Sequence, residues 1–319
     1  MKVVYFGTPD IAANVLTFLL QNQVNVVAVV TKPDKPKGRS LTPIPTPVKL
    51  SALAHNPSMP IYQPEIVSAK EFAPILEAYQ ADLFVVVAYG EILKQHLLDM
   101  PKLGCINLHA SLLPKYRGAA PIQRCIIDGE LISGVTIMHM VKKMDAGDVI
   151  KMAIVDIGPN MTAGELTDEL FKVGSKALLE VIHDFEKGVI NRNPQNEELA
   201  TFAPKIELEN CEVHWNNDAQ TLHNLIRGST PHPGSFCYVK LRDEKKRLKI
   251  KSSRVETEMS GTPGEILVVN QDGIVVACKT QALRILDLQL EGKKAMPIGE
   301  FLRGIAIDQL KFINCGSSM

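Results

Sequence analysis

No stretch of this 319-residue chain approaches the roughly 20 consecutive apolar residues that cross a bilayer, so the sequence does not read as a helical membrane protein. The opening Met1-Lys2-Val3-Val4-Tyr5-Phe6 passes at once into Gly7-Thr8-Pro9. That start lacks the long apolar segment and cleavage site of a secretory leader, and a cytoplasmic protein is expected. Six cysteines, at 105, 125, 211, 237, 278 and 315, make no C-x-x-C pair and have no histidine at finger spacing. Disulfide scaffolds and zinc fingers are disfavoured, and reduced, buried thiols are expected. Net charge is absent too, with 35 Lys plus Arg against 35 Asp plus Glu. Any attraction for nucleic acid must therefore come from local patches. The chain has no Walker loop, H-E-x-x-H or G-x-S-x-G, which removes the usual signals of phosphate-loop, zinc-protease and hydrolase-elbow chemistry. Gly7-Thr8-Pro9-Asp10 carries one glycine of G-x-G-x-x-G, and Pro9 deletes an amide donor. A tight turn with Asp10 at a helix start is the better reading there.

What is present alternates. Val3 to Phe6 reads as a strand, and Ile11, Val15, Phe18 and Leu19 fall at helical spacing after it. A strand from Val24 to Thr31, a Pro- and Gly-rich loop, a helical stretch from Val48 to His55 and an apolar strand from Ala81 to Ala88 continue the pattern. The fold class is α/β: a Rossmann-like, parallel-sheet N-terminal domain over residues 1–189, whose site should lie at the carboxyl ends of strands. Residues 190–204 read as a polar linker. Beyond it, one amphipathic helix near Asp218 to Ile226 and five short strands suit a smaller C-terminal β-barrel of the oligonucleotide-binding (OB-like) type over 205–319. The strands are Phe236 to Leu241, Arg247 to Ser252, Gly264 to Val269, Gly273 to Cys278 and Leu283 to Leu290.

Charge is uneven locally. Residues 32–49 hold five bases (Lys32, Lys35, Lys37, Arg39, Lys49) against Asp34, and residues 240–254 hold eight bases against two acids. Each run is either a solvated surface or an RNA contact. The most informative stretch is Gly104-Cys105-Ile106-Asn107-Leu108-His109, because residues two apart on a strand share a face. Asn107 and His109 would then meet one ligand atom, an amide donor beside an imidazole, as a carbonyl oxygen gaining charge requires. A structural turn is the bland alternative. Thirty-six residues on, Met144-Asp145-Ala146-Gly147-Asp148 offers acids that either cap a turn or reach His109 to assist proton transfer.

Taken together, Gly104 to Gln123 with Met144 to Asp148 resembles the 10-formyltetrahydrofolate-dependent formyltransferases. The runs F-G-T-P-D at 6–10, A-Y-G at 88–90 and G-K-K-A-M at 292–296 are similar to the tRNA-acting branch of that family, and the likeness spans nearly the whole chain. The resemblance implies that Asn107, His109 and Asp145 are the catalytic trio, acting without a metal. It implies that Ser111, Leu112, Leu113 and Pro114 form the folate-binding turn for the donor 10-formyltetrahydrofolate. It implies further that Lys35, Lys37 and Arg39 engage initiator methionyl-tRNA, that the C-terminal domain binds tRNA, and that the protein is a monomer. For the second basic patch, Lys246, Arg247 and Lys249 are the candidate tRNA contacts. The chain departs from relatives at Ser40-Leu41-Thr42 and at Thr230-Pro231-His232-Pro233. The expected reaction is attack of the methionyl amine on the formyl carbon. Asn107 and His109 would steady the oxygen, and Asp145 would help remove the proton. The rival readings are a formyltransferase for a small amine, such as an amino nucleotide sugar or glycinamide ribonucleotide, and a non-catalytic RNA-binding protein.

Overall fold

Val3-Val4-Tyr5-Phe6-Gly7 is apolar throughout, and a strand of that kind is satisfied only when both its faces are covered. It forms β1 (Val3–Gly7), buried at all five positions, in the middle of a seven-stranded sheet. The computed structural model describes residues 1–36, 42–242, 244–304 and 309–313. Along the chain follow β2 (Val26–Val30), a hairpin of β3 (Lys35–Pro36) and β4 (Pro43–Ile44), β5 (Ile61–Tyr62), β6 (Leu83–Val87), β7 (Cys105–His109), β8 (Ile132–His139) and β9 (Val149–Asp156). The sheet order is β5-β2-β1-β6-β7-β8-β9. β1, β2, β5, β6 and β7 run parallel, and β8 is antiparallel to β7.

The chain builds outward from β1 to β5, then returns to lay β6 and β7 on the other side. That reversal opens a crevice at the carboxyl ends of β1 and β6. His109, the last residue of β7, lies on the same edge. Gly7 ends β1 at a tight spot: a Cβ there would come within 2.8 Å of the Ala12 Cβ and 3.0 Å of the Val87 oxygen. The helix Asp10–Gln21 starts directly after this turn and buries Ala12, Ala13, Val15, Leu16, Leu19 and Leu20. Its buried stripe is wider than Ile11, Val15, Phe18 and Leu19 suggest, because small alanines fit against the sheet where Ile11 and Phe18 remain half-buried.

The compact units do not follow the boundaries 1–189, 190–204 and 205–319. One comprises residues 1–118, 133–155 and 167–203; the other comprises 119–132, 156–166 and 204–319. Side-chain bonding within the second unit supplies the reason. In the helix Ala219–Ser229, Gly228 faces Ile127 and Gln123 so closely that a Cβ would lie 2.6 Å from the Ile127 Cγ1. The buried Arg227 donates to the carbonyls of Gly158 (3.3 Å) and Met161 (3.1 Å), and His223 Nε2 meets that of Pro159 (3.1 Å). Residues 190–203, expected to be a linker, are bonded along the first unit, as the site description details.

In the second unit, β10 (Ser235–Leu241), β11 (Glu244–Glu256), β12 (Ile266–Asn270), β13 (Gly273–Ala277) and β14 (Ala282–Leu290) correspond to the five expected strands. β15 (Met296–Pro297) and β16 (Leu310–Phe312) add to them, and the sheet order is β12-β13-β14-β11-β10-β16 with β15 on β14. β11 is longer than the sequence suggests, and register shifts at Ile250, Ser252 and Ser253 let it bend while pairing with both β10 and β14. Its inner residues Leu248 and Ile250 close a core with Trp215, Val239, Ile274, Val276 and Phe312. Five cysteines, 105, 125, 211, 237 and 278, are free and buried; Cys315 lies outside the described residues.

Truncating Leu248 to Ala empties part of this core and is expected to cost about 2–5 kcal/mol. Urea unfolding followed by the fluorescence of Trp215, the sole tryptophan, reads that loss.

Candidate active site

β7 carries Asn107 and His109 on one face, as strand alternation requires. Asn107 is half-buried, and its amide has no side-chain hydrogen-bond partner among the described residues. His109 is only 6% exposed. Its Nε2 lies 3.0 Å from the Tyr116 carbonyl, and because a carbonyl only accepts, that nitrogen carries a proton. Nδ1 then faces Asp145 Oδ2 at 3.7 Å, longer than a hydrogen bond. Asp145 Oδ2 accepts from the Gly118 amide at 2.8 Å. Of the two acids in the 144–148 turn, Asp145 is the one that reaches the histidine; Asp148 sits 3.9 Å from Arg192.

Asp145 and Tyr116 are left-handed, with φ of 49° and 60°. Non-glycine residues hold that conformation only where their surroundings impose it. The surroundings are specific. Gln195 Nε2 donates to the carbonyls of Asp145 (2.8 Å) and Gly147 (2.7 Å). Its Oε1 accepts from Arg117 Nε (3.1 Å) and NH2 (2.7 Å). Arg117, 1% exposed, makes a two-pronged pair with Glu197 at 3.1 and 2.9 Å, and Lys143 joins Glu197 at 2.6 Å. Gly118 follows at φ 121°, where a Cβ would lie 2.9 Å from the Ala203 oxygen. Sequence reasoning missed Gln195, Arg117 and Glu197, since nothing in a polar stretch signals bonds to residues 50 or 80 positions away.

The turn Ser111-Leu112-Leu113-Pro114 begins two residues beyond His109. Ser111 is fully buried and its hydroxyl donates to the Lys115 carbonyl at 2.7 Å, while Thr136 bonds both the Ser111 carbonyl and the Leu113 amide. Leu113 is buried; Leu112 and Pro114 are half-exposed. The polar atoms of this turn build its shape, which leaves Leu112 and Pro114 as its accessible surfaces. A separate cavity of about 480 Å³ lies around Cys105 and His139 at the other end of β7. Burial pushes the Cys105 thiol up and the His139 imidazole down. Among the described residues, no three His, Cys, Asp or Glu side chains converge as a metal site.

The basic residues divide by environment. Lys32 pairs with Glu91, and Lys49 pairs with Asp34 at 2.6 Å while Gln63 bridges the same group, so both close the base of their loop. Lys35 is exposed on β3; Lys37 and Arg39 lie outside the described residues. In the second unit, Arg247 and Lys249 stand opposite Tyr238 and Phe236, with Lys245 4.2 Å over the Tyr238 ring and Arg247 5.6 Å over that of Phe236. Lys246 has the other parity. It is opposite the core residue Val239 and pairs with Glu244 at 2.9 Å, so it does not join the basic and aromatic strip.

β7 thus carries the Asn107 amide and the His109 imidazole at its carboxyl end, with the Asp145 carboxylate 3.7 Å from that imidazole. The chain belongs to the formyl transferase family: the model of the formyl transferase domain matches residues 1–182, and that of the formyl transferase C-terminal domain matches residues 205–306. The methionyl-tRNA formyltransferase of Protochlamydia amoebophila (strain UWE25) is 60% identical over 98% of this chain and 98% of its own length. That of Chlamydia caviae is 45% identical over 98% and 97%. The crystal structure of WlaRD, a sugar 3N-formyl transferase in the presence of dTDP and 5-N-formyl-THF, has a similar fold. Its TM-score is 0.67 at 20% identity, over 92% of this chain and 99% of that one.

The Glu197 network has a pH signature. Hydrogen bonds from Arg117 and then Lys143 pull its carboxyl down from 4.5 to about 2. A depressed carboxylate adds stability above its unfolded value and loses it as pH falls through the folded one. The difference in urea midpoint between wild type and Glu197→Gln is therefore expected to be full above pH 4.5 and to vanish toward pH 2. It should also shrink with added salt, because Glu197 is largely exposed.

Proposed function

We propose that this chain transfers the formyl group of 10-formyltetrahydrofolate to the amino group of initiator methionyl-tRNA, as a monomer in the cytoplasm. The observation that carries the chemistry is the convergence of Asn107, His109 and Asp145 around one strand end. The acceptor is supported by relatives named methionyl-tRNA formyltransferase at 60% and 45% identity over nearly full length.

The roles follow from the atoms. The Asn107 amide, which makes no side-chain hydrogen bond among the described residues, is the donor for the formyl oxygen as it gains charge. His109 bounds the same spot from two residues along, its ring plane fixed by the Tyr116 carbonyl. As the methionyl nitrogen bonds to the formyl carbon it must shed a proton, and Asp145 is the acceptor for it. Asp145 Oδ2 lies 3.7 Å from His109 Nδ1, beyond hydrogen-bond distance, so the proton reaches the carboxylate directly from the amine or through one water. The bond from carbon to the carrier nitrogen then breaks, and that nitrogen takes the proton. Holding amine and formyl donor in one crevice supplies much of the acceleration. Leu112 and Pro114 are the surfaces offered to the folate, with Ser111 and Leu113 shaping the turn from within. For tRNA, the proposed contacts are Lys35, Lys37 and Arg39 in the first domain and Arg247 and Lys249 in the C-terminal barrel. The partly exposed Tyr238 ring beside Lys245 and Arg247 suits a nucleic-acid strand.

An amino nucleotide sugar is the rival acceptor, raised by the fold of WlaRD. Supplying the purified protein with 10-formyltetrahydrofolate and either methionyl-tRNA or a dTDP amino sugar separates the two. Formylation of the tRNA alone is expected, and formylation of the sugar alone would overturn the assignment. Asn107→Ala is expected to lower kcat by roughly 100- to 1,000-fold in a protein that remains folded. Arg247→Ala and Lys249→Ala should each weaken tRNA binding and reduce its salt slope by about one, whereas Lys246→Ala should leave the slope near the wild-type value.

A further inference from the structure

Residues 193–203 cross both pieces of chain that carry the proposed catalytic groups. On the Asp145 side, Asn193 and Val149 exchange backbone hydrogen bonds of 2.8 and 3.0 Å. Gln195 holds the Asp145 and Gly147 carbonyls, and Glu197 holds Lys143. On the His109 side, the Tyr116 amide donates to Thr201 Oγ1 at 2.8 Å and the Arg117 amide to the Thr201 carbonyl at 2.9 Å. The Ala203 amide returns a bond to the Arg117 carbonyl at 2.7 Å. Between the two sides lies the Arg117 guanidinium, bonded to Gln195 and Glu197 at once.

Gln195 fits its place by chemistry as well as by shape. Its amide group uses both hydrogens on two carbonyls of the Asp145 turn, and its oxygen accepts twice from a buried cation. Only a group with donors and an acceptor on one carbon does both. The turn it holds needs holding. Asp145 is left-handed, and Gly147 packs so close that a Cβ would lie 1.8 Å from the His139 oxygen. Without the two donors, the carbonyls of 145 and 147 lose the partner that orients them, and the Asp145 carboxylate loses its fixed position beside His109 Nδ1.

We infer that Gln195, braced by Arg117 and Glu197, is a positioning residue that sets Asp145 against His109 for formyl transfer, so that segment 193–203 belongs to the catalytic machinery. This inference rests on the assignment of Asp145 as a catalytic residue. A misplacement of about 1 Å costs on the order of 100-fold in rate. Gln195→Ala is therefore expected to lower kcat by about 10- to 100-fold while KM for both substrates stays within about twofold.

The decisive experiment measures kcat and KM for formylation of methionyl-tRNA by wild type, Gln195→Ala, Asp145→Ala and the double variant. If Gln195 acts through Asp145, its replacement costs nothing further once Asp145 is gone. An equal loss of rate in both backgrounds, or turnover within twofold of wild type in Gln195→Ala, would overturn the inference. Gln195→Glu carries the same test should Gln195→Ala not fold, since it keeps size and the acceptor but loses both donors at neutral pH. Full turnover in Asp145→Ala would remove the site assignment itself. Loss in Asp145→Ala without loss in the Gln195 variants removes only the positioning role.

Discussion

Arg117 carries a full charge at 1% exposure, and burying a guanidinium is costly unless its N–H groups meet acceptors, as four of the five do here. Those acceptors are Gln195 and Glu197, and reaching them draws the segment that carries them across the first unit. Once drawn there, Gln195 has its amide hydrogens left for the Asp145 turn. The backbone amides of residues 116 to 118 point at Thr201 and Asp145. One buried cation thus organises three separate stretches of chain, near 116, 145 and 195, around the end of β7.

Much of the scaffold could be read before any coordinates. Apolar strands alternating with helical stretches specify a parallel sheet, and the two-residue spacing of Asn107 and His109 puts them on one face once Cys105 to His109 is a strand. The role of residues 190–203 could not be read that way. Asn191, Arg192, Asn193, Pro194 and Gln195 have the composition of a loop, and they are one. Composition does not reveal that a loop's side chains are committed to distant carbonyls. The same blindness hid the attachment of residues 119–132 and 156–166 to the second unit, which depends on the close approach at Gly228 and on Arg227 finding the carbonyls of Gly158 and Met161.

The basic runs show how a count of charges differs from a surface. Of the five cations between 32 and 49, Lys32 and Lys49 are held by Glu91 and Asp34 and serve the loop's own base. In β11 the alternation anchored by Leu248 and Ile250 decides which cations face outward: Lys245, Arg247 and Lys249 share a face with Tyr238, and Lys246 does not. That parity was available from the sequence, because two apolar residues two apart fix the inner face of a strand. The pairing of Lys32 and Lys49 was not, because their partners are set by the fold.

The amide of Gly118 reports the central claim directly, since its hydrogen bond ends on the carboxylate that Gln195 is inferred to place. Amide hydrogen exchange in wild type and Gln195→Ala, under conditions where both are fully folded, measures it. The account requires Gly118 to be protected in wild type and to lose that protection in Gln195→Ala, while amides of the central strand β1 exchange unchanged. Gly118 protection that is the same in both proteins would contradict it.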